Sequence, residues 1–297
     1  MSLQGREACF LPLVLDELPD SLKEKAKIEL CETEEAVRDG LQKMKKLIKE
    51  KSVLTCTDDN FLMMFLRSKK FNVSKAFEQL KSYSYQRHVW MNYYGFIFAD
   101  KVMPAIHNNI CGILPKRDQE GRAIIFFRAC KYSPDICEPD NVLRALQLLI
   151  HFALKFPATQ VSGVALISDA KVESLHTLQL AFRYVKVSLP SLHALPARFQ
   201  SVNIINTNVF VRTCFAIVRH LIPSKLVGRV TFHGSNENAL LEDFDASLLP
   251  TEFGGTMGSL ENVPKDYYIK KVEEFIPILH ASNHYFKRKD TVPFPDS

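Results

Sequence analysis

With 297 residues, 46% of them hydrophobic and 24% charged, the chain can bury a sizeable core and is too apolar for a disordered protein. A formal charge of +5, with no basic stripe, zinc finger or aromatic–basic RNA motif, argues against nucleic acid and suits weak attraction to anionic lipid. Seven scattered cysteines without a C-x-x-C point to reduced thiols in the cytosol, and no apolar run reaches the roughly 18–20 residues that span a bilayer, so membrane contact is expected to be peripheral.

Residues 1–20, interrupted by Pro12 and Pro19, read as a flexible arm. Residues 21–95 read as a helical unit without strand signals. A charged helix pair runs to about Lys51, with Leu41, Met44, Leu47 and Ile48 at helical spacing. Thr57-Asp58-Asp59 caps a helix over Phe61–Arg67, and Asn72-Val73-Ser74 opens another through Phe77, Leu80 and Tyr83 to about Val89. After Asn108 the character changes. Cys111–Pro115 and Ala123–Arg128 bracket Asp118-Gln119-Glu120-Gly121 as a β-hairpin. Pro139–Phe156 is apolar on almost every side, the mark of a buried helix. Val164–Asp169 is a short apolar run of the parallel-sheet type, and helical stretches follow around 174–190.

The most informative stretch comes next: a strand over Ser201–Asn206, an amphipathic helix over 209–222 stopped by Pro223, a turn carrying Lys225 and Arg229, and a strand at Val230–Phe232. The helix sets Val209, Phe210, Cys214, Phe215, Ile217 and Val218 beside Arg212 and Arg219. That composition suits a mobile cover over an apolar cavity at an anionic membrane. Helices alternating with buried strands predict an α/β fold with a mostly parallel sheet over 96–260, leaving 261–297 as a C-terminal tail.

Catalytic signatures are missing. There is no G-x-S-x-G elbow, phosphate loop, G-x-G-x-x-G or H-E-x-x-H, so no enzyme, metal site or cofactor is expected. His107, His151, His176 and His193 read as scattered polar residues. Asp169, at a strand end, reads as a structural hydrogen-bonding group, and Cys214 as packing.

Several motifs in order resemble the CRAL-TRIO (Sec14-like) family. Phe65-Leu66-Arg67-Ser68-Lys69-Lys70-Phe71-Asn72-Val73 is similar to the FLRARKFDV-type element of its N-terminal helices. Ser201–Asn206 resembles the strand before its gate helix, Arg229–Gly234 the next strand, and Leu249-Pro250-Thr251-Glu252-Phe253-Gly254-Gly255 its closing LPxEYGG element. The likeness spans about Asp58 to Gly255 and is nearest to the branch of α-tocopherol transfer protein and cellular retinaldehyde-binding protein.

The resemblance implies a cytosolic, transiently membrane-associated, monomeric carrier of one hydrophobic lipid, with a helical unit, an α/β lipid-binding domain and a mobile gate helix. It also implies a basic cleft for phosphoinositide head groups, falling here on Lys69, Arg198, Lys225 and Arg229; a further basic position of that cleft falls on the neutral Gln200. Pocket candidates are Ile125 and Phe127; Leu143, Leu146 and Ile150; Val164, Leu166 and Ser168; Val202 and Ile204; and the six gate residues. Where the tocopherol carrier has small hydroxyl residues this chain has Leu146 and Ile150, and an aromatic wall position is Ser168. Retinoids, tocopherols, sterol-like molecules and phospholipids all fit a pocket of roughly 300–1,000 Å³. Two rival readings stay open: a phosphoinositide-sensing adaptor without cargo, and a hydrolase with an atypical site.

Overall fold

Side-chain caps set the beginnings of three of the four N-terminal helices. In the computed structural model, which describes residues 10–94, 97–171, 176, 179–180, 183, 194–222, 224–234, 239–263 and 265–286, the four are α1 (Asp20–Leu30), α2 (Glu34–Glu50), α3 (Asp59–Ser68) and α4 (Val73–Tyr94). Thr33 Oγ1 accepts from the Ala36 N–H at 3.1 Å, Asp58 Oδ1 from Phe61 at 3.2 Å, and Asn72 Oδ1 from Lys75 at 3.0 Å. The apolar faces of α2, α3 and α4 then meet in one cluster around Met44, Leu62, Phe65, Leu66, Leu80 and Tyr83. Helix α4 runs on to Tyr94 rather than stopping near Val89, and α5 (Ala99–His107), not expected from the pattern, leads into the sheet.

The sheet has the order β1 (Cys111–Ile113), β2 (Ala123–Arg128), β3 (Val164–Asp169), β4 (Phe199–Ile205), β5 (Val230–Phe232). β1 pairs antiparallel to β2 as a hairpin, and every other pairing is parallel. The hairpin turn is tied by Asp118, whose Oδ1 accepts from Glu120 at 3.0 Å and Arg122 at 2.8 Å. Gly121 at φ +76° supplies the left-handed residue there, and a Cβ would meet Ser162 Oγ at 2.9 Å.

The parallel strands follow one another in a single direction, so right-handed crossovers put all connecting helices on one face. α6 (Pro139–Leu154) and α7 (Pro157–Ser162) join β2 to β3; α8 (Val209–Val218) and the short α9 (Ser224–Val227) join β4 to β5. On that front face Ile125, Phe127 and Val164 share a core with Val142, Leu146 and Leu149 of α6. Among the described residues the back face gets no crossover helix. Chain from 239 to 260 covers it, packing Leu240, Phe244, Leu248, Leu249 and Phe253 on Ile124, Phe126, Ala165, Ile167 and Ile205. Gly255 closes this segment so tightly that a Cβ would lie 1.9 Å from the Leu249 carbonyl oxygen, which gives the glycine of the LPTEFGG element its reason.

Packing ignores two of the expected boundaries. Within the arm, Leu13 is buried and donates its N–H to Pro115 at 2.8 Å, while Arg117 donates its own to Leu11 at 2.8 Å. The guanidinium of Arg117, fully buried, donates to the carbonyls of Pro12, Leu13 and Gly121 and to Thr159 Oγ1, so it straps residues 11–13 to the hairpin. Beyond 260, α10 (Ile269–Ala281) lays Val272, Phe275, Ile276 and Leu279 into the main core, and Phe286 enters the core of the helical unit. Prolines broke the arm's pattern and charge masked the tail's; neither signal reports on burial against a distant element. The helices expected around 174–190 fall mostly outside the described residues.

Candidate functional site

The two faces of the central strands differ in how they are filled. Back-face residues Ala165, Ile167, Asn203 and Ile205 are buried. Front-face Leu166 and Ser168 of β3, and Val202 and Ile204 of β4, stay partly exposed although they sit in the middle of the sheet. Strand register aligns them in two rows, Ile125–Leu166–Val202–Val230 and Phe127–Ser168–Ile204–Phe232. The ends of the rows are held from above. α6 packs on the β2 end, where Ile125, Phe127, Leu143, Leu146 and Val164 are buried. α8 packs on the β5 end, where the Phe215 ring meets Phe232 edge-on with centroids 4.9 Å apart. Ile150 of α6 is partly buried and touches both the main core and that of the helical unit.

α8 is capped by Asn208, whose Oδ1 accepts from Val211 at 2.9 Å. Its inner stripe is Val211, Cys214 and Phe215, all partly buried. Val209 and Ile217, grouped by the sequence with the pocket-facing residues, point to solvent instead and are 81% and 71% exposed. At 100° per residue both fall more than a quarter-turn from the middle of the Val211–Cys214–Phe215 stripe. The side chains of Phe210 and Val218 lie outside the described residues. Arg212 sets its guanidinium 5.4 Å from the Phe232 ring centre, and a 3₁₀ turn over Arg219–Leu221 continues the helix.

The basic residues gather at the other end of the strands. Arg198 precedes β4, and Lys225 and Arg229 precede β5; Lys69 is the C-cap of α3. Burial pushes the Lys69 ammonium below its ordinary range, and the charges of Lys225 and Lys75 push it further. Among the described residues no carboxylate pairs with Lys69, Lys75 or Lys225. Arg198 and Arg229 are already engaged. Arg198 donates to the Val161 carbonyl and reaches Glu29 Oε2 at 3.4 Å, and Arg229 donates to the Phe199 carbonyl. Burial lowers the Arg198 pKa, opposed by its Glu29 partner. Lys75 and Glu29 were missed because neither belongs to a recognisable motif; Lys75 stands beside Lys69, and Glu29 beside Arg198, only in the folded chain.

That docking is made by the arginine of the FLR element. Arg67 grips both oxygens of Glu32, at 2.9 and 2.6 Å, and donates to Gln160 Oε1 of α7 at 2.6 Å. Asp169 is structural, as expected: its oxygens accept from Lys171 N–H, Asn206 Nδ2 and Cys130 Sγ.

Residues 107–255, half of the chain, match the family described as CRAL/TRIO domain. The chain belongs to the CRAL/TRIO family. This is a family of lipid-binding and lipid-transfer proteins. Among CRAL/TRIO relatives, clavesin-1 of Rattus norvegicus is 28% identical over 245 residues, which span 80% of this chain and 69% of that protein. The α-tocopherol transfer protein-like protein of Homo sapiens is 26% identical over 248 residues, 82% of this chain and 72% of its own length. The crystal structure of Sfh5 superposes with a TM-score of 0.56 over 83% of this chain and 99% of that one, at 11% identity, which speaks for the CRAL/TRIO fold alone. Among the described residues, no helix is long and apolar enough to cross a membrane and no cluster of His, Cys, Asp or Glu could hold a metal.

Proposed function

We propose that this CRAL/TRIO protein carries one small hydrophobic lipid between the sheet's front face and α8, and exchanges it at phosphoinositide-containing membranes from the cytosol, acting without catalysis. The observation that carries the reading is the unequal filling of one sheet: Leu166, Ser168, Val202 and Ile204 keep exposed surface in front, while the strand residues between them are buried behind. A two-layer core packs both faces alike. Partly exposed apolar residues mid-sheet, beneath a helix latched at one edge, suit a space meant for a guest.

Energetics supply the need for a gate. A lipid gains roughly 0.8 kcal/mol per CH₂ on leaving water, so a C20-scale guest does not escape into solvent and must pass directly into hydrocarbon. Lys69, Lys75 and Lys225, which pair with no carboxylate among the described residues, then direct the protein to anionic membrane, with Arg198 and Arg229 available once their carbonyl and Glu29 partners yield. The names of its relatives, an α-tocopherol transfer protein-like protein among them, agree with carriage of a lipophile.

Native mass spectrometry of the purified protein tests the carrier: one stoichiometric lipid is expected, and a protein that holds none and gains none from vesicles supports a cargo-free phosphoinositide adaptor instead. The head-group site is tested by Lys69→Glu with Lys225→Glu. This pair is expected to abolish binding to phosphoinositide vesicles while lipid loading persists.

A further inference from the structure

A second concavity lies at the opposite edge of the sheet from α8. Its volume is about 410 Å³, within the roughly 300–1,000 Å³ that small-molecule sites occupy. Three stretches distant in sequence form it: residues 12–14 of the arm, Pro115 and Lys116 after β1, and Met257, Asn262, Val263 and Tyr267 from the chain beyond the LPTEFGG element. β1 and β5 are four strands apart, about 19 Å at the usual spacing, so this cleft is separate from the space under α8.

Apolar surface left in water tends to collapse, and here the backbone holds the walls apart. The Leu13 N–H donates to the Pro115 carbonyl at 2.8 Å, while the buried Arg117 holds the carbonyls of Pro12 and Leu13. Met257 donates its N–H to Leu249 and Val263 donates its own to Ser259, each at 3.0 Å. Tyr267 Oη donates to the Ile113 carbonyl at 2.5 Å, which fixes the ring as one wall. An occupant therefore meets a pre-formed space. With the Tyr267 hydroxyl committed, the remaining polar side chains of the lining are the exposed Lys116 and Asn262, both of them donors, and among the described residues no carboxylate lines the cleft. Glu261, the acid beside Asn262 in the chain, turns its charge on Lys265.

The geometry points to a second binding site, for a small apolar carboxylate: an aromatic or branched aliphatic acid whose body fills the space between Val263 and Tyr267 and whose charge meets Lys116 and Asn262. The body supplies most of the affinity, because its apolar surface leaves water. The cation supplies the choice of sign, by a modest factor, because solvent screens an exposed pair. The site does not depend on the carrier reading.

The test is photolabelling of the full chain with 4-benzoylbenzoate, a benzophenone acid, beside its neutral amide 4-benzoylbenzamide, read by peptide mass spectrometry. The acid should label peptides holding Met257 or Val263 about three- to five-fold more than the amide does, the range of one exposed ionic contact. Lys116→Gln should remove that advantage and leave labelling by the amide unchanged. Val263→Trp fills the cleft. Val263 belongs to no core cluster, so this variant should keep its Tm within a degree or two, lose the label at those peptides and still take up lipid from vesicles. Equal labelling by acid and amide in the wild type overturns the carboxylate class. Label that persists at Met257 in Val263→Trp, or that falls only on peptides from β3, β4 and α8, overturns the site.

Discussion

Replacing Val209 and Ile217 by Asp separates membrane engagement from folding. Both lie on the outer face of α8, 81% and 71% exposed, and neither belongs to a core cluster. Full burial of such a side chain stabilises by about 1.5–3 kcal/mol. If the outer face of α8 enters the acyl boundary, the two together contribute about 3 kcal/mol to the membrane-bound state, since roughly three-quarters of each is available to bury. Three kcal/mol is about a 100-fold change in an equilibrium. The double variant is therefore expected to transfer a fluorescent lipid between vesicles about 100-fold more slowly at limiting vesicle concentration. Its Tm should stay within a degree or two of wild type, because water already surrounds both side chains. Transfer at the wild-type rate would refute the reasoning, since α8 would then open without touching the bilayer. Slow transfer with a collapsed Tm would refute the claim that these residues are idle in the closed state.

Three other outcomes follow from the geometry. Glu29→Gln frees Arg198 of its exposed carboxylate partner; since such pairs contribute at most about 1 kcal/mol, binding to phosphoinositide vesicles in a sedimentation assay should tighten by up to about five-fold. Arg67→Ala leaves Glu32, largely enclosed, without its bidentate partner and Gln160 without a donor, so denaturant unfolding should show a loss of about 3 kcal/mol. Burial, aided by the charge of Arg87, holds His151 neutral with a pKa of about 4, its Nδ1–H donating to the Gln147 carbonyl at 2.7 Å and its Nε2 accepting from Tyr83 Oη at 3.0 Å. The unfolded imidazole titrates near 6.5, so this contribution is complete above that pH, fades as pH falls from about 6.5 to about 4, and amounts to roughly 3 kcal/mol; urea melts of His151→Gln across that window should lose this part of the pH dependence.

Much of the fold was legible because its signals are local. Asp58 and Asn72 cap where their side chains can reach the next turn, the apolar run Val164–Asp169 forms a strand with the bounds it was given, and Asp118-Gln119-Glu120-Gly121 turns the hairpin. Motif order carried the family, since LPTEFGG and FLRSKKF each answer a packing demand, at Gly255 and at Arg67 respectively. What was missed is relational. Leu13 looked like part of a loose arm because nothing near it in sequence says that a fully buried Arg117 will collect the carbonyls around it. Val272 and Phe286 looked like tail for the same reason.

The candidate site marks the sharper limit. Ile125, Leu143 and Leu166 are indistinguishable by hydropathy, yet the first two are buried and the third is partly exposed. How far a front-face residue is covered depends on the elements packed over it, here α6 over β2 and α8 over β5, and no single segment encodes that. Register could have improved the reading. Once β5 is paired to β4, Phe232 falls in the Ser168 row, and its ring is the seat for Phe215. The Phe215–Phe232 contact thus stands at the end of a row of four front-face side chains, about 10 Å from the β3 member at the usual strand spacing. A guest held against that row would lie close to the Phe215–Phe232 contact, so loading and closure should be coupled rather than independent. Phe232→Ala should accordingly weaken lipid retention more than it lowers Tm, because the ring holds a cover and not a core.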